Sequence, residues 1–224
     1  MSDAPNIAEP SGLKMIAVMG LIGLGASILL VATYRTTLPY VEANRQAYLE
    51  QAVFDVLPRT SRKATFTVEK GVVEPLVSKE QPGVRVHAGY DSLGTLTGIA
   101  IEARGQGFQD VLKILIGYNP ACECVVGMKV LESKETPGLG DKIETDERFR
   151  SNFDSLDVRL SPDGRKLVEK VILVKKGEKH EAWQIEAITG ATISSRAITS
   201  IIDASAADLL PVIRANLDII KEGR

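Results

Sequence analysis

The most constraining feature of this chain is a stretch of twenty residues without a charge, from Met15 to Tyr34. At about 1.5 Å of rise per residue, a helix of this length spans roughly 30 Å, the thickness of a bilayer's hydrocarbon core. Lys14 and Arg35 bracket the stretch. A cleaved signal peptide is the alternative, but its apolar region is usually only about 7–15 residues long and ends in a small-residue cleavage site. No such site follows directly, so we expect an uncleaved transmembrane helix over residues 15–34.

Composition excludes several classes of function. The 224 residues include 27 Lys plus Arg against 29 Asp plus Glu, a net charge of −2. A nucleic-acid-binding protein usually has a clear basic excess, so we expect no nucleic-acid partner. Two cysteines, Cys122 and Cys124, cannot build a disulfide framework, and a metal site at this pair would need further ligands. We therefore expect no metal.

The rest of the chain is long enough for one core. Apolar residues recur at helical spacing over residues 36–58, and Pro58 ends that run. Alternating patterns predict strands, and the polar stretch before Trp183 is interpreted as a solvated hairpin; the predicted strands are Val84–Tyr90, Thr95–Ala103, Val111–Tyr118, Cys124–Leu131, Val171–Lys175 and Trp183–Ile188. Helical spacing returns after Ser194.

These patterns predict an α+β fold: one N-terminal transmembrane helix, then one mixed α+β domain with a mainly antiparallel sheet. The predicted organisation has four parts, namely a tail over 1–14, a transmembrane helix over 15–34, a linker helix over 35–58 and a domain over 59–224. Charge near the ends of the helix is close to balanced, so the positive-inside rule does not decide the orientation.

A first motif, Thr189-Gly190-Ala191-Thr192, lies between a predicted strand and a predicted helix. Small residues let the backbone approach a ligand closely, and the start of a helix attracts a phosphate. Arg196, within the first turn, adds a positive charge. The alternative is ordinary helix capping by Thr192 or Ser194.

A second motif, Glu135-Thr136-Pro137-Gly138-Leu139-Gly140, follows a predicted strand. Its proline and glycines favour a tight loop, and local physics leaves a plain turn equally open. Gly105-Gln106-Gly107-Phe108 is interpreted as a connection between strands, with a loop near a ligand as the alternative.

Together, the apolar helix, the Glu-Thr-Pro-Gly-Leu-Gly loop and the Thr-Gly-Ala-Thr motif occur in an order and spacing that resemble the FMN-binding G protein of Rnf electron transport complexes, RnfG or RsxG. The C component of the Na⁺-translocating NADH:quinone reductase is a close relative of that family. The resemblance covers nearly the whole chain.

The resemblance implies a covalent FMN, joined by a phosphoester bond to the hydroxyl of Thr192. A separate flavin transferase, using FAD, makes this attachment in the family. The implied cofactor-binding residues come from both motifs: Thr189, Gly190, Ala191, Thr192 and Arg196 from the first, and Glu135, Thr136, Leu139 and Gly140 from the second. No catalytic residue is implied, because the family's protein is a relay that is not catalytic alone.

The chain departs from the family's pattern at two positions. Glu186 stands three residues before Thr189, where the family usually has Asp, which makes the efficiency of flavin attachment uncertain. Ser133 stands where a histidine is common, before an intact loop.

The resemblance further implies ferredoxin and NAD as redox partners of the whole complex, coupled to transport of Na⁺ or H⁺. It implies iron–sulfur, flavin and membrane subunits as neighbours. It also places the chain in the cytoplasmic (inner) membrane, with the soluble domain on the periplasmic or extracellular side. Two alternatives remain: the C component of the quinone reductase, and a membrane-tethered assembly module without flavin.

Overall fold

The computed structural model describes residues 12–78 and 80–223, so most of the predicted tail over 1–14 lies outside the described residues. The first element, α1, is a helix over Gly12–Val56 that contains the apolar stretch. By length and composition it is the only helix among the described residues that could cross a membrane. The chain divides into two units, one ending at Ala47 and one beginning at Tyr48. The boundaries predicted at residues 34 and 58 remain predictions.

The second unit is built on a seven-stranded antiparallel sheet in the order β2-β1-β3-β4-β5-β6-β7. Most neighbouring strands also follow one another in the chain, because antiparallel strands can be joined by short turns. The strands are β1 Arg62–Glu69, β2 Val72–Pro75, β3 Val84–Tyr90, β4 Leu96–Gln106, β5 Val111–Asn119, β6 Cys124–Glu132 and β7 Leu156–Asp157.

One face of this sheet carries the main core, which the helix α4 covers. Its buried side chains include Ile198, Ile202 and Leu210, spaced by about one or two helical turns. The helices of this unit are α2 Lys142–Thr145, α3 Glu147–Ser151, α4 Thr192–Ala215 and α5 Leu217–Glu222. Burying one face of α4 against the strands fixes the position of its first residue, Thr192.

A second, smaller core lies where the last turns of α1 meet the sheet. Val53, Val56 and Leu57 are buried there against Ala100 and Leu115. At Gly117 of β5 and Gly127 of β6, an added Cβ would meet the backbone of Val56, so glycine is what permits this close approach.

Two short strands, β8 Ile172–Val174 and β9 Gln184–Glu186, pair in parallel, so the interpretation of this region as a hairpin was wrong. The connecting loop turns back on itself before β9 begins. The side-chain oxygen of Gln184 accepts from the backbone N–H groups of His180 and Glu181 at 2.8 and 3.1 Å. A capped loop therefore returns the chain to the same end of the pair, which alternation of polar and apolar residues does not reveal.

The cysteines also differ from expectation. Cys122 lies in the turn before β6, not on a strand, and it is bonded to Cys124. The pair is thus one local disulfide across Glu123. Apart from these points the predicted fold class is confirmed: an apolar N-terminal helix, then a mainly antiparallel sheet with helices.

Candidate functional site

The first motif forms the start of α4. Thr189 and Gly190 make a turn in which Gly190 has a φ of +85°, a conformation that favours glycine. Ala191 is the N-cap residue, without a side-chain cap, and Thr192 is the first helical residue. The capping role considered for Thr192 or Ser194 is therefore wrong. Thr192 is exposed, so its hydroxyl stands beside backbone N–H groups that no side chain caps.

The side chain of Glu135 connects this helix start to two loops. It is 6% exposed. Its Oε2 accepts from the hydroxyl of Ser194 at 2.5 Å, and its Oε1 accepts from the backbone N–H groups of Phe108 and Gln109 at 2.7 and 3.2 Å. One buried carboxylate thus joins the helix start, the second motif and the turn between β4 and β5.

Two glycines leave room for this carboxylate. A Cβ at Gly107 would lie 2.5 Å from Oε1 of Glu135, and a Cβ at Gly140 would lie 2.6 Å from Oε2 and 2.9 Å from Oγ of Ser194. Both distances are too short for any larger residue without displacement. The connection over 105–108 is therefore both a link between strands and a wall of this cluster.

The second motif is a compact loop. The backbone N–H groups of Leu139 and Gly140 both donate to the carbonyl of Thr136, at 3.1 and 3.0 Å, and Gly138 has a φ of +77°. The side chain of Gln109 donates to Oγ1 of Thr136 at 3.0 Å. A plain turn would not need these contacts with a distant segment, so they favour a loop that is held in a specific position.

Lys134 adds an ion pair between the same two segments. Its ammonium lies 2.5 Å from Oδ2 of Asp110. The hydrogen bond from Lys134 and that from the backbone of Val111 lower the pKa of Asp110. Because both partners are substantially exposed, this pair contributes little to stability beyond orienting the loops.

Three apolar side chains on these segments are exposed to solvent. They are Phe108 at 58%, Leu139 at 51% and Ile193 at 53%. Each belongs to a segment that contacts Glu135 or neighbours a residue that does. Arg196 is also exposed, one turn after Thr192. Exposed apolar groups beside a polar cluster are typical of a surface that receives a ligand or partner.

A cleft of about 160 Å³ opens beside Thr189. Three of its residues, Lys142, Arg148 and Lys176, carry cationic side chains. The lining residues are Lys142, Asp146, Arg148, Phe149, Lys176, Glu186, Ala187, Ile188 and Thr189. The three cations outnumber the two carboxylates of Asp146 and Glu186, which favours an anionic group at this side of the motif.

Glu186, which stands in place of the usual Asp, has a fixed backbone. The buried amide of Asn152 accepts from its N–H at 3.0 Å and donates to its carbonyl at 3.3 Å. Lys179 also donates to Asn152, at 3.0 Å. Burial lowers the pKa of Lys179, against the attraction of Glu186 and Asp154.

The structure brings together more residues than sequence reasoning selected. Ser194, Phe108, Gln109 and Gly107 belong to the cluster but were not selected as binding residues. A bond across 59 residues between Ser194 and Glu135 leaves no signal in local spacing. Among the described residues, no group of three His, Cys, Asp or Glu side chains is arranged to hold a metal ion.

The FMN-binding domain family matches residues 107–207, a range that begins at Gly107 and includes both motifs. The G protein of the ion-translocating oxidoreductase complex of Methanosarcina acetivorans is 30% identical over 203 residues, covering 88% of this chain and 92% of the relative. The G protein of the Na⁺-translocating ferredoxin:NAD⁺ oxidoreductase complex of Acetobacterium woodii is 27% identical, covering 84% and 88%.

The fold also resembles a solved structure, NqrC of Shewanella oneidensis, with a TM-score of 0.60 and 18% identity over 80% of this chain and 99% of that one. At this identity the likeness concerns the fold alone. The relationship to the Methanosarcina protein is closer and extends over nearly the whole length of both chains. The chain belongs to the family of G proteins of ion-translocating oxidoreductase complexes.

Proposed function

We propose that this chain carries one FMN, joined by a phosphoester bond to the hydroxyl of Thr192, and relays electrons within a membrane ion-translocating oxidoreductase complex. The observation that supports this most strongly is the position of Thr192. Its exposed hydroxyl stands at the uncapped start of α4, and Ser194 and Glu135 tie that start to two glycine-containing loops. The family match to an FMN-binding domain covers all of these residues.

The start of α4 suits the phosphate. A phosphodiester on Thr192 keeps one negative charge, which the N-terminal N–H groups of the helix and the guanidinium of Arg196 stabilise. Thr189, Gly190 and Ala191 leave the hydroxyl accessible because two of them are exposed and all three are small. Bond formation joins the threonine oxygen to the phosphorus of the flavin phosphate. With FAD as donor, the anhydride bond breaks and AMP leaves, on a separate flavin transferase.

The second motif suits the ring. Leu139, together with Phe108 and Ile193, offers exposed apolar surface close to the phosphate position, while Glu135, Thr136 and Gly140 hold the loop in shape. FMN supplies the redox chemistry when it is bound, and the protein sets its position and surroundings. No residue of this chain need then act as a catalyst, which agrees with a relay role.

The partners follow from the family. We propose that the complex couples electron flow between ferredoxin and NAD to transport of Na⁺ or H⁺, as the name of the Acetobacterium relative states for ferredoxin, NAD⁺ and Na⁺ in that complex. Its other membrane, iron–sulfur and flavin subunits would surround this chain. The quinone reductase alternative is less well supported, because NqrC of Shewanella shares 18% identity with this chain, against 30% for the Methanosarcina protein.

We further propose that residues 15–34 cross the cytoplasmic membrane, that 35–58 form the linker helix and that 59–224 form the FMN-binding domain on the outer side. Protease digestion of right-side-out and inverted vesicles tests the orientation. The domain should be cut in right-side-out vesicles only, and cutting in inverted vesicles only would overturn this topology.

The attachment site is tested by the intact mass of the full chain after co-expression with a flavin transferase. The wild type should gain one FMN less one water, and Thr192→Ala should gain nothing. Thr145→Ala, which removes another exposed threonine hydroxyl from α2, is the matched control and should be modified like the wild type.

Two results would refute the proposal. Modification of Thr192→Ala would place the linkage elsewhere. An unmodified wild type, with the transferase active on a second substrate protein, would favour the flavin-free assembly module and would make the Glu186 departure the first residue to reverse.

A further inference from the structure

The turn between β5 and β6 carries the bond between Cys122 and Cys124, which the proposed flavin site does not use. It lies at the first residue of β6, whereas Glu135 follows the last, so the two sites are at opposite ends of that strand. The two sulfurs differ in access. Cys122 is exposed, while Cys124 is 7% exposed and sits within the sheet between Asn119 and Asp157.

The backbone between the two cysteines has an unusual conformation. Glu123 has a φ of +50°, in the left-handed region that a residue with a long side chain rarely adopts. Such conformations cost free energy and persist only where the surroundings impose them. The disulfide closes a ring through this one residue, so it is one of the restraints that hold Glu123 there.

Noncovalent bonds hold the same turn in place. The carbonyl of Glu123 accepts from the backbone N–H of Val158 at 3.2 Å, and its carboxylate accepts from Arg214 at 3.3 Å. The backbone N–H of Ala121 donates to the side chain of Asn119 at 2.8 Å. The turn therefore has a way to stay folded without the covalent bond. Because the closed loop is very short, the disulfide also restrains the unfolded chain less than a long-range disulfide does.

An exposed sulfur, a buried leaving sulfur and a turn that does not depend on the bond are the properties of an exchangeable disulfide. We propose that the pair Cys122 and Cys124 is a reversible thiol–disulfide exchange site for an external dithiol, which attacks the sulfur of Cys122. This inference does not rest on the proposed flavin function.

The exchange proceeds in two balanced displacements. A thiolate of the dithiol attacks Sγ of Cys122, the bond between the two protein sulfurs breaks, and Cys124 leaves as a thiolate that takes up a proton. The second thiolate of the dithiol then attacks its own sulfur in the mixed disulfide and releases Cys122, which also takes up a proton. The protein gains two electrons and two protons, and the dithiol becomes a disulfide.

The equilibrium is tested on the full chain in detergent, in glutathione buffers of increasing reduced-to-oxidised ratio. After acid quenching, maleimide labelling and intact mass count the free thiols. The native chain should pass from none to two labels within this series, because structural disulfides, unlike exposed ones, resist the glutathione pool. The reduced chain should keep its sheet spectrum and unfold within a few degrees of the oxidised chain.

Single-cysteine variants test the site of attack. Cys124→Ser leaves the exposed thiol of Cys122 and should form a mixed disulfide with oxidised glutathione at least tenfold faster than Cys122→Ser, which leaves the buried thiol. Thr192→Ala is the control and should titrate like the wild type, which separates this site from flavin attachment.

Three outcomes would overturn the proposal. They are a disulfide that is reduced only after denaturation, a reduced chain that loses its sheet, and equal rates for the two single-cysteine variants.

Discussion

Replacing Glu135 is the sharpest test of how the site is built, because one side chain joins three segments. Glu135→Ala removes the acceptor of Ser194, Phe108 and Gln109. Phe108 and Gln109 are exposed, so water can replace the carboxylate at their N–H groups. Ser194 is 3% exposed, and its hydroxyl loses a charge-assisted bond worth about 1.5–3 kcal/mol.

Removing the buried charge also removes its desolvation cost, which offsets part of the loss. We therefore expect the free energy of unfolding to fall by about 2–3 kcal/mol, or roughly 5–10 °C in the melting temperature of a domain of this size. Glu135→Gln is the matched control. Its amide keeps one oxygen for the two backbone donors and places an NH₂ group toward Ser194, so the loss should stay near or below about 1 kcal/mol.

The assay is thermal unfolding of the full chain in detergent, expressed without a flavin transferase so that no bound flavin contributes. The same two variants are then co-expressed with the transferase, and the flavin-modified fraction is measured by intact mass. Glu135→Ala should be modified less than Glu135→Gln because the start of α4 is no longer tied to the loops. Equal melting temperatures for Glu135→Ala and the wild type would refute the reasoning.

Three further predictions follow from individual residues. Gly140→Ala should lower the melting temperature and the flavin-modified fraction because its Cβ would meet Glu135, whereas Gly138→Asn, a matched change where a Cβ meets nothing within 4 Å and left-handed φ suits Asn, should do neither; equal losses would contradict this. Glu186→Asp should raise the initial rate of flavin attachment, measured by mass against time, and a slower rate would show that the longer side chain is not a defect. Burial raises the pKa of Tyr118 to about 12, so stability present below about pH 10 should be lost as pH rises through about 12. Tyr118→Phe should flatten that loss in unfolding curves, the exposed Tyr40→Phe should not, and identical curves would count against the burial argument.

The local sequence determined those features whose cause is itself local. The uncharged stretch is apolar on all sides, so a membrane-spanning helix is predicted whatever the rest of the chain does. Val84–Tyr90 alternates and stops at a turn, and β3 has those bounds. The glycines and proline of residues 135–140 predicted a tight loop, because backbone freedom and rigidity act within a few residues.

Features decided by distant contacts were not predictable in this way. Residues 59–83 gave no strand prediction, yet they form β1 and β2 because β3 offers an edge for pairing. The parallel pairing of β8 with β9 depends on the Gln184 cap of their connecting loop.

The site shows the same division. Resemblance to a family selected both motifs, and the amino-acid order alone predicted that each would follow the end of a strand. Only the tertiary structure decided that Glu135 reaches Ser194 and Phe108, since burial of α4 on the sheet brings these segments together. A hydrogen bond between residues far apart in the chain depends on where the core places their backbones, and this is why the sequence determines the parts of the site and the fold determines their arrangement.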